Sequence, residues 1–283
     1  MATLVVRDGI VVQSIGFNRY LPIGKPSIAV EFLNQWGIDE IILLDISATI
    51  GEREPNFGMV REISAFCFVP LTVGGGITQL DQVKELIRCG ADKVCFNQVA
   101  MYQPELLSQT AQVFGSQCVV VSIDATDTPN GPRVYDYCRR LALEHETPRK
   151  MALRLQEMGA GEILINSVDR DGSYRGFDVS LIQDVCEAVS VPVIGCGGAG
   201  KPDHFVEVFE KTRVSAAAAA NFFHFSEHSV TITKAMVRKA VEVRHDTHAD
   251  YSESVFDPAG RLLKKDDRVL EDMRFVRLEK ERI

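Results

Sequence analysis

The sequence lacks long hydrophobic runs. No stretch of 18 apolar residues occurs among its 283 positions, so no transmembrane helix is expected. It lacks an excess of positive charge as well. The formal net charge is −8, which argues against nucleic acid as a general partner. No charged segment followed by an apolar stretch and a small-residue cleavage site opens the chain, so no secretion signal is read there. Seven cysteines are present, at 67, 89, 95, 118, 138, 186 and 196, with no CxxC pair and no Cys/His ligand spacing. Most lie inside apolar runs. They read as buried, reduced thiols of a cytoplasmic protein, not as a zinc site. The six histidines form no HExxH and no Ser/His/Asp pattern. No metal and no cofactor are expected.

What is present is alternation. Short β-branched runs take turns with amphipathic helical stretches. After the opening "LVV" come the strands 39–46, 69–73, 92–97, 117–124, 162–168, 191–196 and 214–220. Helices are read at 27–37, 57–67, 80–91, 103–115, 148–160, 178–189, 201–211 and 230–244. Eight strands, apolar throughout and each followed by a helix, imply a parallel sheet covered by helices. At this length a closed (β/α)8 TIM barrel over residues 1–244 fits best, with an open doubly wound sheet as the alternative. The stretches "VPLTVGGGI" from residue 69 and "VPVIGCGGAG" from residue 191 echo each other, as a duplicated half-barrel would.

In such barrels the reactive face lies at the C-terminal ends of the strands. The polar groups that fall there are Asp45, Gly74–Gly76, Asn97 and Gln98, Asp124, Asp169–Gly172, Gly197 and Gly198, and Asn221. Glycine at a strand end lets a ligand reach backbone N–H groups, and a helix N-terminus behind it favours an anion. The two glycine clusters stand half a barrel apart, so they read as two phosphate sites or simply as two tight loops. Asp45 and Asp124 are carboxylates placed for acid–base work or for loop capping. Glu40, Lys93 and Glu162 fall at strand beginnings, on the opposite face. They read as a ring of charge across the lower mouth, or as ordinary rim ion pairs.

These motifs, "LTVGGGI", "GADKVCFN", "FGSQCVVVSIDA", "GAGEILINSVDRDG", "VPVIGCGGAGKPDHF" and "FFHF", resemble the cyclase subunit family of imidazole glycerol phosphate synthase over residues 1–240. The resemblance implies a (β/α)8 barrel that receives ammonia from a glutaminase subunit docked on its N-terminal face. The ammonia passes a charged gate, travels up the barrel and attacks a substrate carrying two phosphates. By this resemblance Gly76, Asn97 and Gln98 match one phosphate site. Asp171, Gly172, Gly198, Ala220 and Asn221 match the other. Glu40, Lys93 and Glu162 match three of four gate charges, and Asp124 matches one of two catalytic carboxylates. Gln98 and Asn221 stand where the family has hydroxyl residues.

The second catalytic carboxylate of the family belongs at the end of the first strand, in a run like "CLDVKDG". Here the run is "LVVRDG", which puts Val5 at the aspartate position and Gln13 at that of a following lysine. Asp8 aligns with a separate aspartate. Valine can neither deliver nor remove a proton. A divergent branch of the family, associated with amidation of nucleotide-activated sugars for surface polysaccharide, resembles the chain in its "LVVRDGIVV" start and in "GEREPNFGMVREIS". Sequence therefore points first to sugar amidation. A working histidine-pathway cyclase and a non-catalytic ammonia conduit are the alternatives. Residues 245–283 exceed the usual barrel end. Their nearly balanced charge and a turn at 257–260 suggest a structural or flexible extension.

Overall fold

The computed structural model describes residues 1–224, 228–244, 255–258, 261–264, 266 and 268. In chain order, β1 (Ala2–Arg7), β2 (Ile10–Ile15) and β3 (Arg19–Gly24) precede α1 (Pro26–Gln35). Next come β4 (Ile41–Asp45), α2 (Ile46–Ile50), α3 (Phe57–Ser64), β5 (Leu71–Gly74) and α4 (Leu80–Arg88). β6 (Lys93–Phe96), α5 (Gln98–Tyr102), α6 (Glu105–Phe114) and β7 (Val119–Thr126) complete the first half. β8 (Arg133–Asp136), β9 (Leu141–Ala142), α7 (Pro148–Glu157), β10 (Glu162–Ser167) and α8 (Val179–Ala188) follow. The last elements are β11 (Val193–Cys196), α9 (Pro202–Lys211), β12 (Ala216–Ala217) and α10 (Ser229–Val237).

Eight of these strands run parallel, in the order β1-β4-β5-β6-β7-β10-β11-β12. The ring then closes. Ala2 bridges Ala219 in parallel, and the Thr3 N–H donates to the Ala219 carbonyl over 2.9 Å. Closure rules out the open doubly wound sheet and bears out the barrel. Its interior is a small apolar plug of Ile42, Cys95, Val120, Leu164, Ile194, Cys196 and Ala218. The outward residues of the same strands, such as Leu43, Val121 and Ile163, pack under the helices. Both strand faces are thus buried, which is why the strands read as unbroken apolar runs. Proline occupies the first turns of α1, α7 and α9, where its missing N–H leaves no partner unsatisfied.

The structure departs from the sequence reading in four places. Residues between the opening strand and the first helix, given no strand from sequence, form the antiparallel β2–β3 hairpin, joined to β1. A second hairpin, β8–β9, extends from β7. The eighth strand is only two residues long, because its alanine run offers little side chain to a pleated surface. The last helix ends at Val237, not at 244. Beyond it the chain turns to the N-terminal face. There Arg244 donates to the Ile38 carbonyl (2.9 Å) and its Nε lies 3.3 Å from Asp39, which also takes Lys234 (2.6 Å).

The turn read at 257–260 has described flanks. Phe256 bridges Leu262, and the Asp257 N–H donates to the Arg261 carbonyl (2.9 Å). Most of the extension at 245–283, with His245 and His248, lies outside the described residues. Among the described residues no helix is long and apolar enough to cross a membrane.

Candidate active site

Each parallel strand points its C-terminal end at one face, and the loops there surround a cavity of about 420 Å³. Of the top-face residues singled out from sequence, Asp45, Gly75, Gly76, Asn97, Gln98, Asp124, Asp171, Gly172, Gly197, Gly198, Ala220 and Asn221 line it, while Gly74, Asp169 and Arg170 do not.

Asp124 sits near the end of β7 and is 5% exposed. Asn97 Nδ2 donates to its Oδ2 over 2.9 Å, and Asn166 Nδ2 lies 3.4 Å from its Oδ1. Burial disfavours the carboxylate more than these two donors stabilise it. The pKa is pushed up to about 7, with the charge of Asp171 adding to the rise. Asp124 is therefore a carboxyl group poised to give or take a proton near neutral pH.

One side of the cavity is the first glycine cluster. The Gly76 N–H donates to Thr49 Oγ1 (3.1 Å). Gly76 has φ +72°, and a β-carbon there would fall 2.4 Å from the Arg53 carbonyl oxygen, so only glycine fits. Gln98 Nε2 donates to Asp136 (3.1 Å) and lies 3.4 Å from Asn97 Oδ1. Asp45 caps α2: its Oδ1 accepts from the N–H groups of Ser47 and Ala48 and from the Ser47 hydroxyl. Capping, not free display, accounts for that oxygen, although Asp45 still borders the cavity.

The other side holds the second cluster. Gly198, at φ +96°, lies so close to the Gly176 carbonyl that a β-carbon would stand 2.1 Å from its oxygen. Gly172 packs against the Ser14 carbonyl. Asn221 is turned to the β2 backbone, donating to the Ser14 carbonyl (2.6 Å) and accepting from the Ser14 N–H (3.2 Å). It clamps the β2–β3 hairpin to the ring. Asp171 Oδ2 accepts from the Ser14 hydroxyl (2.6 Å) and the Phe17 N–H (3.2 Å). Burial raises its pKa against the pull of those donors. Asp171 is thus a second cavity carboxyl with a raised pKa, a property its position in a glycine loop did not disclose.

Val5 also lines the cavity, presenting its apolar side chain where the first strand ends. Asp8 does not replace a missing carboxylate there. It is an exposed residue at φ +51° in the β1–β2 turn, beside Arg7 (3.8 Å) and Arg53 (3.5 Å). Gln13 is buried and donates to the Tyr174 hydroxyl (3.0 Å).

Sequence reasoning overlooked the β8–β9 hairpin, which carries Tyr137 over the cavity. The hairpin is anchored by Asp136, fully buried. Asp136 accepts from the Tyr102 hydroxyl (2.6 Å), from Gln98, and from the N–H groups of Cys138 and Arg139. Burial alone would raise its pKa, but these donors outweigh it and hold the group ionised. The available signal was Asn130-Gly131 ahead of alternating "RVYDY", a hairpin pattern.

At the opposite face, Lys93 Nζ donates to Glu162 Oε1 (2.7 Å) and Glu40 Oε2 (2.9 Å). Their side chains are between 16% and 28% exposed. Burial works against the ammonium, but the two carboxylates more than compensate and raise its pKa. The three strand-start charges are thus one cluster across the lower mouth of the barrel. Among the described residues the second oxygen of Glu162 is buried with no hydrogen-bond partner.

Residues 1–229 match the family described as histidine biosynthesis protein. A Vibrio vulnificus (strain YJ016) protein, provisionally named imidazole glycerol phosphate synthase subunit hisF2, is 42% identical over 259 residues. The match spans 91% of this chain and 95% of that protein. Imidazole glycerol phosphate synthase subunit HisF of Geobacillus thermodenitrificans (strain NG80-2) is 46% identical over 246 residues, 85% of this chain and 96% of the relative. The subunit HisF of Streptococcus gordonii (strain Challis) is 42% identical over the same length, with the same coverage.

Proposed function

The chain belongs to the histidine biosynthesis protein family, as a relative of the cyclase subunits of imidazole glycerol phosphate synthase, and from that premise we propose that it is an ammonia-using lyase subunit of a glutamine amidotransferase complex. In this reading a glutaminase subunit docks on the N-terminal face. Ammonia passes the Lys93–Glu40–Glu162 cluster and meets a phosphorylated ribotide in the upper cavity. The ribotide is cleaved and cyclised to imidazole glycerol phosphate and the aminoimidazole carboxamide ribotide. The relatives, named as such subunits at 42–46% identity, support this reading over sugar amidation, to which the sequence pointed first.

The observation that carries the chemistry is Asp124. Cleavage and ring closure need one proton delivered and another removed. A carboxyl with a pKa near 7 is divided between its acid and base forms at neutral pH, so one residue can serve both steps in turn. Asp171 is the second cavity carboxyl that can assist. The two glycine loops would hold the two phosphates: Gly76 with Asn97 and Gln98 on one side, Gly172 with Gly198, Ala220 and Asn221 on the other. Ser14, bound to both Asp171 and Asn221, ties the second loop set to the hairpin.

The test is direct. The purified chain is given the ribotide and an ammonium salt without a partner. Formation of imidazole glycerol phosphate supports the reading, and its absence, with the substrate still bound, overturns it. Val5 favours one other reading, in which ammonia delivery persists and the acceptor is an acetamido group of a nucleotide-activated sugar. Turnover of such a sugar and none of the ribotide would establish that alternative.

A further inference from the structure

We propose that Asp136 is a positioning residue for Asp124, acting through Gln98 and Asn97 to fix the hydrogen bond that orients the cavity acid. Its bearing on catalysis rests on the functional reading above, since that reading makes Asp124 the reacting acid.

Four side chains form one line from the β8–β9 hairpin to the end of β7. Asp136 Oδ1 accepts from Gln98 Nε2 (3.1 Å), the same nitrogen lies 3.4 Å from Asn97 Oδ1, and Asn97 Nδ2 donates to Asp124 Oδ2 (2.9 Å). A side-chain amide carries its donors on one arm and its acceptor on the other, so such a line has a direction. An ionised carboxylate can only accept. Asp136 therefore draws the nitrogen arm of Gln98 toward itself. The second hydrogen of that nitrogen is then turned to Asn97 Oδ1. With its oxygen claimed there, Asn97 keeps its nitrogen arm for Asp124. Hydrogen bonds in series polarise one another, so the bond to Asp124 is strengthened by those behind it.

Anchoring the hairpin does not account for the contact with Gln98. The N–H groups of Cys138 (2.9 Å) and Arg139 (3.0 Å) and the Tyr102 hydroxyl (2.6 Å) already hold Asp136 in its turn. Arg139, its guanidinium 4.7 Å from the centre of the Tyr102 ring, covers the outer side. Gln98 instead opens α5, directly after Asn97 at the end of β6. Its bond joins the hairpin to the residue that holds the acid. The groups that can titrate beside Asp136 are Tyr102, Cys138 and Arg139. Around Asp124 they are Asp171, the thiols of Cys95 and Cys196, and the hydroxyls of Tyr20 and Tyr137. Burial pushes those thiols and hydroxyls up, which leaves Asp171 as the neighbour whose charge changes in the acid range. Asp171 is bonded to the β2–β3 hairpin on the other side of the cavity, so a change at Asp136 reaches Asp124 through the two amides.

The experiment is a pH titration of the Asp124 carboxyl carbon by NMR, in carbon-13-labelled protein and phosphate-free buffer, with Asp124→Asn identifying the signal. Asp136→Ala should move the midpoint up by about half to one pH unit, since complete loss of a donor to the ionised form amounts to about one unit. Asp136→Asn keeps an oxygen for Gln98 and should restore most of the parent midpoint. In an Asn97→Ala background, Asp136→Ala should add no further shift. The acid limb of ammonium-dependent turnover should follow the same pattern. An unmoved midpoint in Asp136→Ala overturns the proposal. So does a shift that persists in the Asn97→Ala background, or a downward shift, which would mark repulsion through space. If Asp136→Ala does not fold, Gln98→Leu cuts the line at its middle while the hairpin keeps its other bonds. The same upward shift is then required of it, and its absence overturns the proposal. A parent chain that does not turn over the ribotide removes the functional reading, and the NMR midpoints still decide the coupling.

Discussion

Asn97 places its side-chain amide 2.9 Å from Asp124 Oδ2, and donates to the Ser122 carbonyl at 3.0 Å as well. The amide nitrogen therefore has both hydrogens committed. Asp124 cannot turn without breaking that pair. The residue matched to a phosphate site is thus also the one that orients the acid and tempers its pKa.

Removing that donor tests the coupling. Asn97→Ala takes away a bond that favours the ionised form, so the pKa of Asp124 should climb further. A hydrogen bond to a charged group contributes on the order of 1.5 kcal/mol, or about one pH unit. The acid limb of the ammonium-dependent rate profile should move up by that amount. An unmoved limb would assign the limb to another group.

Asp124→Asn should separate catalysis from stability. Activity should fall by about 10²- to 10⁴-fold. The folded-state pKa is about 7, above the unfolded value, so the native state binds more protons than the unfolded one between roughly pH 4 and pH 7. Native stability due to this group therefore falls as pH rises through that window. The asparagine variant escapes this loss. Its melting temperature relative to the parent should rise from pH 4 to pH 8, and a constant difference would deny the buried carboxylate.

The barrel was legible because parallel strands buried on both faces cannot hide their apolar runs. The positions of Asp124, Asn97 and Gly198 followed from strand ends alone. Other features depend on contacts between distant segments. Asn221 reads as a loop residue until Ser14, more than 200 positions away, is seen across from it. Asp45 looks like a displayed carboxylate until Ser47 and Ala48 claim it. Asp171 gains its raised pKa from burial under the β2–β3 hairpin, and no local pattern encodes that. The β8–β9 hairpin went unread because its strands are only four and two residues long, although Asn130-Gly131 marked its approach.

The charge cluster makes a prediction about delivery. Lys93→Met removes the only cation hydrogen-bonded to Glu40 and Glu162 in the described structure. Two mostly buried carboxylates are then left without it, at a cost on the order of 2 kcal/mol in unfolding experiments. Glutamine-dependent activity should drop at least tenfold, while ammonium-dependent activity should persist, since the upper cavity is untouched. Equal loss of both would show that the cluster holds the fold and does not govern passage.

Val5 offers the sharpest choice between the two readings. It lines the cavity that holds Asp124, and β1 pairs it with Leu44 on β4, so its backbone is fixed from one side. Val5→Asp would place a second carboxylate at the end of β1 without moving the strand. Valine and aspartate are close in size, and Val5 is only half-buried, so the barrel should tolerate the change. If the chain acts on the ribotide with Asp124 alone, the added acid should divide the two proton transfers between two groups. Ammonium-dependent turnover should then rise by about 10-fold or more. The like charge should also push the pKa of Asp124 higher, which the rate profile would report. If the acceptor is an activated sugar, the same substitution puts a charge against a surface shaped for an apolar contact, and turnover of that substrate should fall. One variant assayed on two substrates thus gives opposite signs. A fall on the ribotide would mean that Val5 is part of the site as it works now.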